Sequence, residues 1–479
     1  MNRKTRILLV ASALLIGALT SSTALAARGS ADFTRYVALG DSLAAGSTSA
    51  NPLNLVETHQ KWSFPAVIAR QAGTPDFQQP LVSEPGILPE LALQSLVPLV
   101  IGPKSTGSGV PINLNLPRPY NNLGVPGATV GETVRFDGRE VVLNPMFSII
   151  LRGIATAPQQ ALALQPTFIS VWIGNNDVLG AVTSGTPAAL TPIDSFTADY
   201  QEILDTLIAG APNAGMITAT VPPVTAVPFV NTVPPFLVDP VTRQPIRNPA
   251  DGSLIFYIAD LGGGNFGQLG PDSKVTLRAQ PYLATGYGIP AALAPFLPPL
   301  PDIGKPLPDS VVLTAAELTQ IEQRRQEVNA LIQTAATSRN IPVVDADQFF
   351  ARLAAGLQFA GLEVNTSYIT GGIISLDGFH PTDIGYTLIA NEFIRSINTA
   401  YQSNIPLASL TTFLENQPEG SLSLLGLPSW LSLNILEAPW TEFVGPFVLE
   451  STSTPEPPPA APTVPRRGFG AGGIGGGID

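Results

Sequence analysis

Short, continuous apolar runs alternate along this chain with longer segments in which apolar residues recur at helical spacing. Five such runs predict strands that are buried on both faces, and they cover residues 35–39, 121–125, 167–173, 216–221 and 341–344. The run at 121–125 is the weakest of the five. Strands that alternate with helices indicate parallel βαβ units. The pattern therefore predicts a three-layer α/β/α sandwich around a parallel sheet of about five strands.

Helices are predicted between these strands. The clearest begins at Thr314, where Thr314 and Glu317 have the spacing of a capping box before an apolar stripe. A second is predicted to start near Thr382, directly after a proline. Two more are predicted at 199–208 and at about 64–71.

Two long stretches rich in Pro, Gly, Leu and Phe interrupt this alternation, at about 75–118 and about 222–308. Loops of this length inside a compact domain are typical of lids or binding walls. We therefore predict one large domain at 27–405 that carries both stretches as insertions. A small apolar extension is predicted at 406–450. The Pro- and Gly-rich tail at 451–479 cannot bury enough side chain to offset its ordering entropy, so disorder is predicted there.

The start of the chain has the pattern of a secretory signal. Residues 1–26 combine a basic start, an apolar stretch and a small-residue cleavage site at Ala24 and Ala26, which predicts a signal peptide and a mature chain that begins at Ala27. An uncleaved anchor is the alternative. No later stretch approaches the ~18 apolar residues of a membrane span. The sequence therefore predicts export, to an extracellular or periplasmic location, without an integral membrane span after signal removal.

Composition and charge narrow the possible functions. Of 479 residues, 44% are hydrophobic and 13% are charged, which excludes a chain that is disordered throughout. The formal net charge is −12, and loss of Arg3, Lys4 and Arg6 with the signal would make it more negative. Such a surface repels phosphate backbones, so we expect no nucleic-acid partner. The sequence gives no indication of an oligomeric state.

Residue counts also limit the chemistry that the chain can perform. It contains no cysteine, which excludes disulfides, Cys-ligated metals and a thiol nucleophile. His59 and His380 are its only histidines. We predict His59 to be a surface or substrate-rim residue.

Four polar clusters follow predicted strands or precede a predicted helix, at residues 40–43, 121–129, 174–177 and 377–382. The carboxyl ends of parallel strands meet at one edge of a sheet, where ligands bind. Taken singly, each cluster is explained by helix capping, by a turn or by a packed histidine. Asp41, Asp177 and Thr382, for example, fit a capping or supporting role.

Taken together, the clusters supply every part of a serine acyl-transfer site. Ser42 is the candidate nucleophile and His380 the candidate base, since a hydroxyl attacks poorly unless a base takes its proton. Asp377 can hold the imidazole in one tautomer. The backbone N–H groups of Ser42 and Gly127, with the side-chain amide of Asn176, are the candidate donors of an oxyanion hole.

These residues resemble the signature blocks of the SGNH or GDSL hydrolase superfamily of esterases and lipases. The blocks are G-D-S-L at 40–43, a Gly-Ala-Thr glycine block at Gly127, G-x-N-D at 174–177 and D-x-x-H at 377–380. The resemblance covers about residues 35–397 and implies the same catalytic roles, on a five-stranded parallel sheet flanked by helices. It favours Gly127 over the neighbouring Gly124 in the oxyanion hole.

The predicted reaction is hydrolysis of carboxylic esters through an acyl-serine intermediate, and it requires no metal and no organic cofactor. Apolar residues of the 222–308 insertion favour lipid or other apolar acyl esters as substrates. A carbohydrate O-acetyl esterase is the main alternative on the same chemistry.

Three other functions are alternatives to a GDSL-type serine hydrolase. The first is an inactive hydrolase fold that serves as a binding or surface protein. The second is a two-metal phosphatase, which is disfavoured because its metal centre would need several histidines. The third is an ordinary α/β hydrolase, which is disfavoured because its nucleophile turn needs glycine where this chain has Ala44.

Overall fold

The computed structural model of the protein describes residues 31–48, 55–96, 99–139, 144–239, 244–359 and 362–410. The predicted signal peptide, the extension beyond residue 410 and the predicted tail lie outside the described residues.

In chain order, the strands are β1 (Tyr36–Gly40), β2 (Leu91–Leu96), β3 (Leu99–Pro103), β4 (Asn122–Gly124), β5 (Phe168–Trp172), β6 (Gly215–Ala219), β7 (Ile258–Asp260), β8 (Phe266–Gln268), β9 (Lys274–Val275), β10 (Val312–Leu313), β11 (Val343–Val344), β12 (Leu357–Phe359) and β13 (Leu362–Val364). The α-helices are α1 (Ser42–Ala45), α2 (Glu57–Gln60), α3 (Phe64–Ala72), α4 (Val130–Arg135), α5 (Pro145–Ile150), α6 (Ala157–Ala163), α7 (Asn175–Ser184), α8 (Ile193–Gly210), α9 (Pro228–Asn231), α10 (Gln280–Thr285), α11 (Ala315–Thr337), α12 (Ala346–Ala354) and α13 (Asp383–Tyr401). Short 3-10 helices cover Pro187–Ala189, Leu277–Ala279, Ala291–Phe296 and Asp309–Val311.

A parallel sheet of five strands forms the centre of the fold, in the order β11-β6-β5-β1-β4. Each predicted strand corresponds to one strand of this sheet, with ends that differ by no more than two residues. β1, β5 and β6 are buried along their whole length, as expected for strands covered on both faces.

Alternate residues of the central strands enter apolar cores on opposite faces of the sheet. Val37 and Leu39 of β1 belong to one core, whereas Tyr36 and Ala38 belong to the other. Helices cover both faces, so the α/β/α sandwich that the pattern of apolar runs predicts is confirmed.

The predicted helices are present, and their capping residues explain where they begin. Thr314 caps α11 through a capping box with Glu317, and the side chain of Thr382 caps α13. The helix predicted from residue 199 begins earlier, at Ile193. Its first turns are helical because Phe196 is fully buried and extends the apolar stripe toward the N-terminus.

Both insertions are more ordered than loops. The first contains the antiparallel hairpin of β2 and β3. The second contains the antiparallel pair β7–β8, the strand β9, which pairs with β10 just after the insertion, and an apolar cluster around the fully buried Tyr257. None of the described helices is both long and apolar enough to cross a membrane.

Candidate active site

Ser42 lies at the carboxyl end of β1, where the chain turns directly into α1. Asp41 caps this short helix, since its carboxylate accepts a hydrogen bond from the Leu43 N–H at 3.0 Å. The helix ends after one turn at Gly46, which has a left-handed φ of 83° and donates to the Ser42 carbonyl at 3.0 Å. Ser42 is therefore fixed on a tight strand-to-helix turn at the edge of the sheet where ligands are expected.

Two glycines allow α1 to lie close to the sheet. A Cβ on Gly40 would come within 2.5 Å of the Trp172 carbonyl oxygen, and a Cβ on Gly124 would come within 2.7 Å of both Ala44 Cβ and Ala45 N. Distances this short are not sterically possible, so only glycine fits at these two positions. The G-D-S-L block thus has a packing reason as well as a chemical one.

The glycine block places Gly127 in a turn beside the end of β4. Its φ is 81°, and the Ala128 N–H closes the turn on the Val125 carbonyl at 3.0 Å. The Gly124 N–H, by contrast, donates to Asn122 Oδ1 at 3.1 Å. Among the described residues, no acceptor is paired with the N–H of Gly127 or of Ser42.

Asn176 belongs to α7, which begins at the carboxyl end of β5. One N–H of its side-chain amide donates to the Ala128 carbonyl at 2.9 Å, next to the Gly127 turn. An asparagine amide carries two N–H donors. This contact therefore connects Asn176 to the glycine block and leaves its second N–H for a ligand.

Two buried acids accept hydrogen bonds from groups beside Ser42 and the glycine block. Asp41 accepts from the Asn175 side chain at 2.8 Å, and Asp177 accepts from the Val130 N–H at 3.0 Å. Burial raises the pKa of Asp41 to about 6, although hydrogen bonds and the charge of His380 act in the opposite direction. Burial likewise raises the pKa of Asp177 to about 6. Two of the three predicted supporting residues, Asp41 and Asp177, thus accept hydrogen bonds from backbone N–H groups beside the site.

Asp377 and His380 form a close pair in the loop before α13. His380 Nδ1 lies 2.6 Å from Asp377 Oδ2. The other carboxylate oxygen accepts from Ser375 Oγ at 3.1 Å, from the Phe379 N–H at 3.0 Å and from the His380 N–H at 2.9 Å. Four interactions therefore fix this carboxylate and, through it, the orientation of the imidazole ring.

The second nitrogen of the His380 ring is buried and has no hydrogen-bond partner among the described residues. His380 is only 1% exposed. Because Nδ1 is held by a carboxylate, Nε2 is the nitrogen that can accept a proton. A buried base with an open lone pair is the arrangement that general-base catalysis needs.

Tyr386 joins the His380 side of the site to the Ser42 side. It lies on α13, and its hydroxyl donates to the Ser47 carbonyl at 2.6 Å and reaches the Ser42 carbonyl at 3.4 Å. The charge of His380 also acts on Asp41, the residue that precedes Ser42. Helix α13, which follows the 377–382 cluster, thus bonds the segment that begins at Ser42.

The second insertion packs directly on the Asp377 loop. Phe229 donates its N–H to the Gly378 carbonyl at 2.9 Å, and its ring meets Phe379 edge to face at 5.6 Å. The Phe379 ring centroid lies 4.5 Å from that of His380. Leu277 also approaches the backbone of Gly378. Apolar groups of the insertion therefore pack on Phe379 and Gly378, and Phe379 in turn contacts the candidate base.

Sequence reasoning did not assign roles to several residues that this structure uses. Asn122 and Asn175 hold the turns around Ser42 through their side-chain amides, and Tyr386 bonds the segment from Ser42 to Ser47 through its hydroxyl. Both asparagines belong to polar clusters that the sequence analysis singled out, and this position is the sequence feature that could have indicated their roles. His59, predicted to be a surface or substrate-rim residue, has a side chain that is 29% exposed, and both of its ring nitrogens approach carboxylates.

Within the described ranges, no set of three or more His, Asp or Glu side chains is arranged to hold a metal ion. The candidate site combines a hydroxyl, an imidazole–carboxylate pair and amide donors. The five-stranded parallel sheet flanked by helices is the fold of SGNH-type hydrolases.

The sequence profile of the GDSL-like lipase/acylhydrolase family matches residues 36–393. The chain therefore belongs to this family of hydrolases, which fits the blocks recognised in the sequence. A search of curated proteins finds no match.

Solved structures with detectable likeness include a protein of Parabacteroides merdae described as a GDSL-like lipase, at 13% identity over 78% of this chain and 99% of that one, with a TM-score of 0.32. An acetylxylan esterase variant from Geobacillus stearothermophilus is 12% identical over 77% and 95%, with a TM-score of 0.31. An extracellular lipase from Streptomyces rimosus is 14% identical over 76% and 98%, again with a TM-score of 0.31.

Proposed function

We propose that this protein is a serine esterase that hydrolyses carboxylic esters through an acyl-serine intermediate on Ser42. The observation that carries the proposal is the state of the His380 ring. Its Nδ1 is held by Asp377 at 2.6 Å, while its buried Nε2 has no partner among the described residues. This is the geometry of a general base that is ready to accept a hydroxyl proton.

In the proposed first step, Ser42 Oγ attacks the ester carbonyl carbon and its proton moves to His380 Nε2. The charge on the resulting imidazolium is stabilised by Asp377. The negative oxygen of the tetrahedral intermediate accepts hydrogen bonds from the Ser42 and Gly127 N–H groups and from Asn176. His380 then gives its proton to the alcohol as the carbon–oxygen bond breaks.

In the second step, water repeats the attack on the acyl-serine. His380 takes a proton from the water, and the acid is released when that proton returns to Ser42 Oγ. The choice of Gly127 rather than Gly124 as oxyanion donor is supported by hydrogen bonding, since the Gly124 N–H already donates to Asn122.

Two variants test the reaction class with a fluorophosphonate probe, which labels an activated serine. Ser42→Ala is expected to lose labelling and ester hydrolysis completely, and His380→Ala is expected to lose both almost completely. Ser47→Ala serves as a matched control, because it makes the same chemical change five positions further along the chain, just after α1. Labelling that persists in Ser42→Ala would overturn the proposal, and a well-folded wild-type protein that takes no label would favour the binding-protein alternative.

The proposed substrates are esters with apolar acyl chains. Support comes from the second insertion, whose Phe229 and Leu277 pack on the Asp377 loop beside His380. Hydrolysis rates should be measured over p-nitrophenyl esters from acetyl to palmitoyl. We expect the highest kcat/KM at medium or long chains. A maximum at acetyl with loss beyond butyryl would instead favour a carbohydrate O-acetyl esterase.

We also propose that the protein is exported, from the basic, apolar and small-residue pattern of residues 1–26. N-terminal sequencing of protein collected outside the cytoplasm should begin at Ala27. A mature chain that keeps Met1 would contradict cleavage.

A further inference from the structure

A second histidine network lies outside the candidate catalytic groups. His59, on α2, approaches Asp383 with Nδ1, at 2.8 Å from Oδ1 and 2.9 Å from Oδ2. Its Nε2 lies 2.8 Å from Glu90 Oε1, in a charge contact without the alignment of a hydrogen bond. The other oxygen of Glu90 is 3.0 Å from Lys104 Nζ. His59 thus bridges two carboxylates from distant parts of the chain.

The first carboxylate is close to the catalytic pair along the chain. Asp383 is the first residue of α13 and follows His380 by three positions. The loop between them is tightly held, since the Thr382 side chain donates to the Gly372 carbonyl at 2.7 Å and its N–H to Ile373 at 2.8 Å. A shift of Asp383 would therefore be transmitted to the loop that carries His380.

The second carboxylate belongs to the first insertion. Glu90 directly precedes the hairpin of β2 and β3. Leu93 of that hairpin packs with Ile369 and Leu376 in a small apolar cluster, and Leu376 directly precedes Asp377. The Leu376 carbonyl is held in turn by the Tyr368 hydroxyl at 2.6 Å.

The hairpin therefore contacts the catalytic loop on both sides of the Asp377–His380 pair. On one side it packs against Leu376 through Leu93, and on the other it is joined to Asp383 through Glu90 and His59. We propose that His59 is a positioning residue, whose imidazolium holds the hairpin of the first insertion against the loop that carries Asp377 and His380. The kinetic part of this inference rests on the proposed esterase function.

Charge balance explains why the bridging residue has to be a cation. Glu90 and Asp383 face His59, and their side chains are only 4% and 17% exposed. Lys104 lies beside Glu90, and the charge of Lys61 acts on Asp383. The charge of Glu84 acts on Lys104 in turn.

The protonation of His59 follows from these neighbours. Burial acts to lower the pKa of His59, but the charges and contacts of Asp383 and Glu90 outweigh it and raise that pKa to about 10. The imidazole is thus charged over the pH range of ordinary esterase assays. A neutral side chain at this position would remove the cation that contacts the partly buried Asp383 carboxylate and would leave the buried Glu90 with Lys104 alone, which is unfavourable.

The first test needs no activity. In His380→Ala, the single remaining imidazole is that of His59, so its ring NMR signals are unambiguous. We expect them to show an imidazolium that titrates well above pH 8. A titration midpoint near the ordinary value of about 6.5 would overturn the bridge.

The second test measures the loop itself. In His59→Gln we expect faster hydrogen exchange at the amides of Ser375, Gly378 and Thr382, which are hydrogen-bonded in the wild-type loop. Exchange at these amides that matches the wild-type protein would refute the positioning role. Glu90→Gln gives the same measurement from the hairpin side if His59→Gln does not fold.

The third test is kinetic. His59→Gln is expected to lower kcat by up to about 10²-fold, as a small misplacement of a catalytic group does, while KM for a short ester stays the same. His59→Arg keeps a planar cation that can contact two carboxylates, so it should recover part of kcat. Equal kcat values for the Gln and Arg variants would contradict the role of the charge.

Arg325→Gln is the matched control for a general loss of stability. Arg325 is a buried cation that pairs with Glu322 at 2.6 Å and with Asp347 at 2.5 Å, and it has no contact with the 372–382 loop among the described residues. We expect kcat to be unchanged in this variant, and a matching fall in kcat would refute a specific role for His59. If wild-type protein takes no fluorophosphonate label, the esterase proposal fails. The NMR and exchange results still test whether the His59 imidazolium holds the hairpin against the loop.

Discussion

Replacement of Asp377 by asparagine isolates the contribution of one charge and one tautomer to catalysis. Asp377 Oδ1 accepts from three donors, which are Ser375 Oγ and the N–H groups of Phe379 and His380. An amide at this position must keep its oxygen toward those donors, because a rotated amide would point its NH₂ group at all three. The NH₂ group therefore faces His380 Nδ1.

This geometry fixes the wrong tautomer of His380. A donor opposite Nδ1 requires Nδ1 to accept, so the single proton of the neutral ring moves to Nε2. Nε2 can then no longer take the proton of Ser42. In a Ser-His-Asp triad this change lowers kcat by about 10⁴, which corresponds to about 5 kcal/mol of lost transition-state stabilisation.

The assay is kcat for a p-nitrophenyl ester at neutral pH, with fluorophosphonate labelling as a second readout. Asp345→Asn is a matched control with the same chemical change. Asp345 caps α12 by accepting from the Gln348 N–H at 3.0 Å, and an asparagine oxygen caps equally well. We expect wild-type kcat in that control. A kcat for Asp377→Asn within tenfold of the wild type would refute the reasoning from the tautomer.

Three further predictions concern the turns around the site. Asn176→Ala removes an oxyanion donor and should lower kcat by about 10²–10³ with little change in KM; an unchanged kcat would exclude Asn176 from the oxyanion hole. Gly124→Ala places a Cβ within 2.7 Å of Ala44 Cβ, so urea unfolding should show a loss of at least about 1–3 kcal/mol, and wild-type stability would contradict the close packing. Burial raises the folded-state pKa of Asp177 from 3.8 to about 6, so its contribution to the free energy of unfolding falls as the pH rises through that window. Asp177→Asn should therefore gain up to about 3 kcal/mol relative to the wild type at pH 8 and much less at pH 4, whereas a pH-independent difference would contradict the raised pKa.

The features that the sequence determines by itself are local. The strands follow from continuous apolar runs, and the starts of α11 and α13 follow from capping residues that bond within three positions, at Thr314 and Thr382. Asp377 and His380 are likewise three positions apart, so their pairing needs only a tight loop. Hydrogen bonds between residues three positions apart depend only on the local backbone, which is why the sequence could predict them.

Contacts across the chain depended on the tertiary structure. His59 and Asp383 are 324 positions apart, and Tyr386 and Ser47 are 339 apart. No period or spacing encodes such pairs, because they depend on which segments the sheet order brings together. For this reason the sequence did not predict the carboxylate contacts of His59 or the hairpin of the first insertion. Folding places the hairpin against the loop that carries Asp377 and His380, and only there does the His59 imidazole meet the carboxylates of Glu90 and Asp383.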